Sequence, residues 1–495
     1  MHRKTVGAVR DDEIRGRLRE QNPWWRTRAT ARSADAWRDD DPVLRARSRW
    51  DLGYRSELLD DVVASPGTDL LIILRGPRRV GKSVLLRDTA ASLCQRPGFD
   101  PLRLISFACD GMNARDLRRA VLLGQASTRA VEPETRVWFL DEVAGIRGWT
   151  ETLKYLRDTT SFAGDTVVCT GSSWDPQAEV ERDLLAGRAG TGPGRRERIL
   201  HPMSYREFLS ATRRDIPSTP LLSPGDLQRP QVADLATDLE PFLTDLDLAW
   251  QDYLTCGGFP RAVAEQHRDG QVSESFLADL SSWLHRDVDA EGPPDSVPLL
   301  LAELHRRSAA PLNRRDTAAT LGYPNPSAFE RRLDRLTAAF ATLWCPQVDE
   351  RGRRVAGAQS KVYLADPVLA WLSPARRSGI PDPDMTVLSE AAVAVALARS
   401  VDRSDPGRWS TQDAIGYLKT TAGGEIDLAP VPFRTASGTA WTTPIESKWV
   451  SARWRREARA IEARFAAGIL ATKDVLDFEH PAWALPAPLV ALFLE

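Results

Sequence analysis

The sequence predicts an α/β protein built from several domains. Three observations carry that expectation. Short apolar runs alternate with helical stretches over 51–215, three helical runs precede two apolar segments over 296–378, and an apolar helix precedes a charged strand pair over 385–495. A chain of 495 residues is also too long for one ordinary domain.

Residues 1–50 read as a polar, Arg-rich arm whose "DDEIRGRLREQNPWW" is a short helix ending in an aromatic plug, with Trp24 and Trp25 packing onto the next domain. In 51–215, "DLLIIL", "LRLISF", "RVWFLDE" and "TVVCTGS" are expected as strands buried on both faces. "GKSVLLRDTAASLC" and "WTETLKYLRDTTS" have helical periodicity between them, which implies a parallel sheet with helices on both sides. Residues 216–295 read as a Pro-rich linker leading into helices interrupted by "CGGFP". Over 296–378, three helices and a hairpin ("TLWCPQV", "KVYLAD") form the pattern of a winged helix. The block 385–495 opens with the helix "LSEAAVAVALARS", continues into strands and then a Trp/Arg-rich helix.

Composition narrows the function classes. Hydrophobic and charged fractions of 42% and 27% are those of a folded soluble chain. The net charge of −2 provides no global basic field for nucleic acid. Only seven of the 66 basic residues are Lys, a bias that reads first as genomic base composition and second as phosphate binding. The five Cys (Cys94, Cys109, Cys169, Cys256, Cys345) are scattered, without Cys-x-x-Cys spacing, so neither a disulfide framework nor a zinc site is expected. No signal peptide or membrane span is apparent, and a cytoplasmic location is expected.

"GPRRVGKS" places Gly76, Pro77, Arg78, Arg79, Val80, Gly81, Lys82 and Ser83 between a buried strand and a helix. The glycines let the loop turn its N–H groups toward phosphate oxygens, and the helix adds its positive end. Lys82 would reach the β- and γ-phosphates, and Ser83 would ligate Mg²⁺. "VWFLDEV" ends a buried strand in Asp141 and Glu142, at the edge where open α/β sheets bind ligands. Asp141 is expected to hold the Mg²⁺, and Glu142 to orient and deprotonate the attacking water. Thr170 and Ser172 are candidate γ-phosphate sensors, and Arg188 in "LLAGRAG" is a candidate for stabilising transition-state charge, in its own chain or on a neighbouring subunit of a homo-oligomer.

Taken in order, "LRGPRRVGKS", "VWFLDEV", "VCTGSS", "LAGR", "LHPMSYREFL", "YLTCGGFPRAV", "KVYLADP", "GGEIDLA" and "IESK" resemble a family of bacterial and archaeal AAA-type ATPases. These join a P-loop domain to a C-terminal region of unknown function. The resemblance covers roughly residues 20–495. It implies ATP as the nucleotide, a helical lid with "GGFP" near the base, a winged helix, and a C-terminal domain similar to the PD-(D/E)XK nuclease fold. The Gly/Arg-rich "AGTGPGRRER" after Arg188 departs from the pattern and leaves the place of that Arg open.

At the C-terminal end, Asp427 lies in "EIDLA", and Glu446 and Lys448 lie two apart in "PIESKW", on one face of a strand. Asp427 and Glu446 are expected to share a divalent cation, with Lys448 positioning water or stabilising developing charge. Glu390, in the preceding helix, would complete the set, as similar helix glutamates do in PD-(D/E)XK enzymes. An acidic strand edge without catalysis is the bland alternative. In the winged helix, "NPSAFERRLDRL" would be the recognition helix, with Arg331, Arg332 and Arg335 available to DNA phosphates, and "DERGRR" would be the wing; a packing spacer is the competing reading. Two functions remain in view: an ATP-gated, Mg²⁺-dependent nuclease acting on DNA, and an ATP-dependent switch that binds a protein or nucleic-acid partner without cutting.

Overall fold

The structure is a computed structural model that describes residues 9–26, 36–132, 134–172, 189–192, 194–375, 379–419 and 424–495. The chain divides into two compact units, Met1–His201 and Pro202–Glu495.

The first unit is built on α1 (Asp11–Gln21), β1 (Leu70–Arg75), α2 (Lys82–Gln95), β2 (Leu104–Ala108), α3 (Ala114–Ser127), β3 (Val137–Asp141), α4 (Trp149–Thr159), β4 (Thr166–Gly171) and β5 (Glu197–Ile199). All five strands run parallel, in the order β2-β3-β4-β1-β5. Every residue of β1 and β4 is buried, which is why these strands read as unbroken apolar runs. Successive side chains point to opposite faces. Leu71 and Ile73 join Ile105, Phe107, Trp138 and Leu140 beneath α1, while Leu70, Ile72 and Leu74 join Val137, Phe139 and Val168 against Leu85 and Leu86 of α2.

The arm closes the open edge of this sheet. An edge strand such as β2 presents unpaired backbone groups. The Asn22 side chain donates to the Ser106 carbonyl at 2.9 Å and accepts from the Ser106 N–H at 2.6 Å, and Gln21 Oε1 accepts from the Ala108 N–H at 2.8 Å. Both Trp24 and Trp25 donate Nε1–H to the Leu104 carbonyl at 2.9 Å, with Trp24 fully buried. The aromatic plug thus packs on the α/β domain, as its sequence suggests.

The second unit begins with α5 (Leu243–Cys256), α6 (Pro260–Asp269) and α7 (Glu274–Asp289). Next come α8 (Ser296–Arg307), α9 (Arg314–Thr320), α10 (Pro326–Ala338) and the antiparallel hairpin of β6 (Thr342–Cys345) and β7 (Lys361–Leu364). Three helices and a hairpin therefore stand in the order that the sequence predicts.

"GGFP" lies at the α5–α6 turn, and its glycines are required there. Gly257 has φ +66°, and a Cβ on it would fall 1.9 Å from Asp366 Oδ1. A Cβ on Gly258 would fall 2.0 Å from the Met203 carbonyl oxygen. Asp366 accepts from the Gly258 N–H at 2.9 Å and the Val368 N–H at 3.0 Å, and burial pushes its pKa up to about 6. The segment expected beside a nucleotide base is thus packed against Asp366 and Met203. Gly257→Ala is expected to lower stability by about 2–4 kcal/mol, combining overpacking with left-handed strain, as read by urea unfolding.

The last block is α11 (Met385–Ser404), β8 (Leu418–Lys419), β9 (Glu425–Ile426), the hairpin of β10 (Pro432–Thr435) and β11 (Gly438–Trp441), β12 (Ile445–Ser447), α12 (Trp454–Phe465), β13 (Gly468–Thr472), β14 (Ala482–Pro486) and α13 (Ala487–Leu494). Strands β12, β13 and β14 form a parallel sheet. Leu428 and Ile445 exchange backbone hydrogen bonds of 3.0 and 2.9 Å, which sets the Asp427 segment alongside β12. Ile426, Leu470, Ala484 and the α12 residues Trp454, Ala458 and Ile461 form the core beneath.

Candidate functional sites

The first site lies at the C-terminal edge of the five-stranded sheet, where strand order puts β4 between β1 and β3. The loop from Gly76 to Ser83 joins β1 to α2. A Cβ on Gly76 would meet the Leu200 carbonyl oxygen at 2.1 Å, and Gly81 has φ +103°, so both turns demand glycine. Pro77 and Val80 are buried, Arg78 is half-buried, and Arg79 is exposed with φ +67°. Lys82 is buried, and its ammonium donates to the Gly76 and Pro77 carbonyls at 2.8 and 3.0 Å.

Ser83, Asp141 and Thr170 come together as one network. Ser83 Oγ donates to Asp141 Oδ2 at 2.7 Å, and Thr170 Oγ1 donates to Asp141 Oδ1 at 2.6 Å. Thr170 Oγ1 also accepts the Glu142 N–H at 2.8 Å, while Ser172 Oγ donates to Glu142 Oε1. Glu142 itself is left-handed, φ +54°, an uncommon backbone state for a glutamate. A hydroxyl and a carboxylate oxygen meeting at one point are hard donors that suit Mg²⁺, so the residues fit that ion. Asp110, just beyond β2, is a neighbour that no sequence motif singles out. Its pKa is raised by burial and by the nearby Glu142 and Asp141 charges, which places it in the same field. Arg188 lies outside the described residues.

The second site is in the last block, where Glu390, Asp427, Glu446 and Lys448 converge as their order suggests. Lys448 Nζ lies 2.8 Å from Glu446 Oε1 and 3.1 Å from Asp427 Oδ2. Glu446 Oε2 accepts the Asp427 N–H at 3.1 Å, and Asp427 Oδ2 accepts the Ser447 N–H at 3.1 Å. Three further residues belong to the cluster. Lys361, from β7, lies 2.8 Å from Asp427 Oδ1, 2.7 Å from Glu425 Oε1 and 3.5 Å from Glu390 Oε1. Tyr363, two residues along the same strand, donates to Glu390 Oε1 at 2.8 Å.

The electrostatics follow from burial and from those two cations. Burial and the Asp427 charge push the Glu390 and Glu446 carboxyls up to about 7. Burial would raise Asp427 too, but Lys361 and Lys448 outweigh it and hold that carboxyl below its usual value. Burial opposes the charge of Lys361, yet Asp427 and Glu390 win and keep it protonated.

A divalent ion does not fit this arrangement. Both oxygens of Asp427 are engaged by ammonium groups, and among the described residues no group of three or more His, Cys, Asp or Glu side chains could hold a metal ion. Asp427 and Glu446 are thus brought together as expected, but around lysines.

The helix expected to read DNA is amphipathic. Arg332 is half-buried and pairs with Asp289 at 2.7 Å over the Tyr323 ring, whereas Arg331 and Arg335 are exposed, Arg335 also donating to the Val288 carbonyl at 3.0 Å. In the wing, Arg353 pairs with Asp349 at 2.8 Å.

Residues 68–209 match a family described as an AAA domain, and residues 247–375 match a domain of unknown function. An uncharacterized protein of Haemophilus influenzae is 25% identical over 322 residues, which covers 63% of this chain and 71% of the relative. Among solved structures, a Walker-type ATPase of Pyrococcus abyssi is similar at 18% identity and a TM-score of 0.33, over 66% of this chain and 96% of its own. The Aeropyrum pernix ORC1 protein, solved in complex with DNA, is similar at 13% identity and a TM-score of 0.27, over 68% and 90%. No helix among the described residues is long and apolar enough to cross a membrane. The phosphate-type loop between β1 and α2, the acid pair at and just after the end of β3 and the family match coincide on residues 68–209, the span that is similar to an AAA domain.

Proposed function

We propose that the chain is an ATP-hydrolysing enzyme in which ATP turnover gates a DNA-directed, nuclease-like site in the C-terminal block. The observation that carries the first half is the network of Ser83, Asp141 and Thr170 beside Lys82 and Glu142. In this reading Lys82 exchanges its two carbonyl partners for phosphate oxygens, and the backbone N–H groups from Gly76 to Ser83 surround the phosphates. Ser83 and Asp141 would hold Mg²⁺, which would neutralise phosphate charge. Glu142 takes the proton of the attacking water. Lys82→Ala is expected to weaken ATP binding about tenfold to a hundredfold, the worth of one charge-assisted hydrogen bond, measured with a fluorescent nucleotide.

The second half is supported by the convergence of Glu390, Asp427, Glu446 and Lys448. DNA as the partner is supported by α12, which directly succeeds that site in sequence. Arg456 and Arg459 are exposed neighbours on this helix, three residues apart. They are better disposed toward phosphates than Arg332, which is half-buried and paired with Asp289.

Lys361 favours a second reading, in which the C-terminal block binds a partner without cutting and ATP turnover only switches it. Linear, supercoiled and branched DNA incubated with Mg²⁺, with and without ATP, separates the two. Cleavage that needs ATP and is lost in Asp427→Ala supports the gated nuclease. No cleavage by protein that hydrolyses ATP supports the switch, and cleavage retained in Asp427→Ala removes Asp427 from the site.

A further inference from the structure

The C-terminal cluster sets four carboxylates, Glu390, Glu425, Asp427 and Glu446, against two ammonium groups, Lys361 and Lys448. The two cations are not equivalent. Lys448 is one-third exposed, whereas the Lys361 side chain is fully buried. Lys361 is carried not by the strands that hold the acids but by β7, whose register pairs it with Cys345 of β6. Residues two apart on a strand share a face, so Lys361 and Tyr363 reach the cluster together and engage Asp427 and Glu390.

The position of the Lys361 ammonium is that of a cation shared by three carboxylates. A Mg²⁺ shared by Glu390 and Asp427 would need an Asp427 oxygen at about 2.0–2.1 Å, and both of these are already engaged by ammonium groups, Oδ1 by Lys361 and Oδ2 by Lys448. It would also stand against a positive charge held 2.8 Å from Asp427 Oδ1, inside a buried cluster where like charges repel strongly. We propose that Lys361 is the resident cation of this site and excludes divalent metal from it for as long as β7 holds the side chain in place. The inference rests on reading the cluster as nuclease-like and adds its regulation: the hairpin, through Lys361 and Tyr363, sets whether the acids can take a metal. Withdrawal of β7 frees Asp427 Oδ1 and Glu390 Oε1 in one movement.

The test is calorimetric titration of the full chain with Mn²⁺. It uses wild type and Lys361→Met, each with and without Asp427→Asn, so that binding at the nucleotide site subtracts out. The wild type is expected to show no Asp427-dependent Mn²⁺ site up to millimolar metal. Lys361→Met is expected to gain one, with affinity roughly tenfold or more above the wild-type limit once the like charge is gone. An Asp427-dependent site in the wild type would overturn the exclusion while leaving the nuclease reading standing. Absence of such a site in Lys361→Met would overturn the exclusion and remove Asp427 as a metal ligand as well. Should Lys361→Met fail to fold, Lys361→Gln, which keeps an N–H donor without the charge, is titrated in the same way and judged by the same outcomes.

Discussion

Glu142→Gln is expected to leave ATP binding near the wild-type level while slowing hydrolysis by about 10²–10⁴-fold, the range for losing a positioned general base. The base and the phosphate-binding loop sit on different elements. Lys82 and the loop backbone lie on the β1–α2 side, whereas Glu142 directly follows β3 and is fixed by Thr170 of β4 and by Ser172 just beyond it. Gln keeps the length of the side chain and can still accept from Ser172, so the fold at this point is preserved. The left-handed backbone at Glu142, of order 1 kcal/mol in cost, is retained only because its surroundings over-determine it. Phosphate release under saturating ATP gives the turnover, and titration with a fluorescent nucleotide gives the affinity. Near-normal turnover would mean that another group is the base. Asp110 is then the first to examine, because burial and the Glu142 and Asp141 charges already favour its protonated form.

How much of the fold and its sites is legible in the sequence depends on whether the residues of a site are neighbours along the chain. The loop from Gly76 to Ser83 is contiguous, and the strands around it are buried on both faces, so their apolar runs are unambiguous. Asp141 and Glu142 are placed by the strand that they end. Asp427, Glu446 and Lys448 can be grouped because strand alternation and a hairpin-length gap define one face. Lys361 cannot, since the contact that brings it to Asp427 spans 66 residues and starts from a different hairpin. One signal is available in composition. Lys82, Lys361 and Lys448 are three of only seven lysines in a chain that otherwise uses Arg. An ammonium is a compact point charge on a flexible stem, suited to places that the planar guanidinium fits poorly. Glu425 carries a weaker signal, being two residues from Asp427 on the same strand face. The arginines of α10 mislead in the opposite direction. Helical spacing exposes a face, but Asp289, far away in sequence, and Tyr323, just before the helix, cover part of it at Arg332.

Replacing Lys361 by Met is expected to lower stability by about 3–5 kcal/mol near pH 8, the range for removing one partner of a buried ion pair. Met fills a similar volume, so the loss is electrostatic rather than a cavity effect. Its pH dependence arises from the carboxyls left behind. In the wild type, Lys361 and Lys448 outweigh burial and depress Asp427. The stability from that depression is present above the unfolded Asp value near 4 and is lost as pH falls through the folded one. Glu390 and Glu446 run the other way, being pushed up to about 7 by burial and the Asp427 charge. Their contribution is full below the unfolded Glu value, near 4.3, and is lost as pH rises toward 7. Without Lys361, Asp427 loses a hydrogen-bonded cation and moves upward as well, while Glu390 loses a neighbouring positive charge. The variant therefore binds more protons than the wild type in its folded state, and its deficit grows as the pH is raised from about 5.5 to 8. Urea unfolding of both chains at the two pH values measures that change directly. A deficit of equal size at both would mean that Lys361 acts through packing alone, since a side chain that only fills space has no proton to exchange with its neighbours.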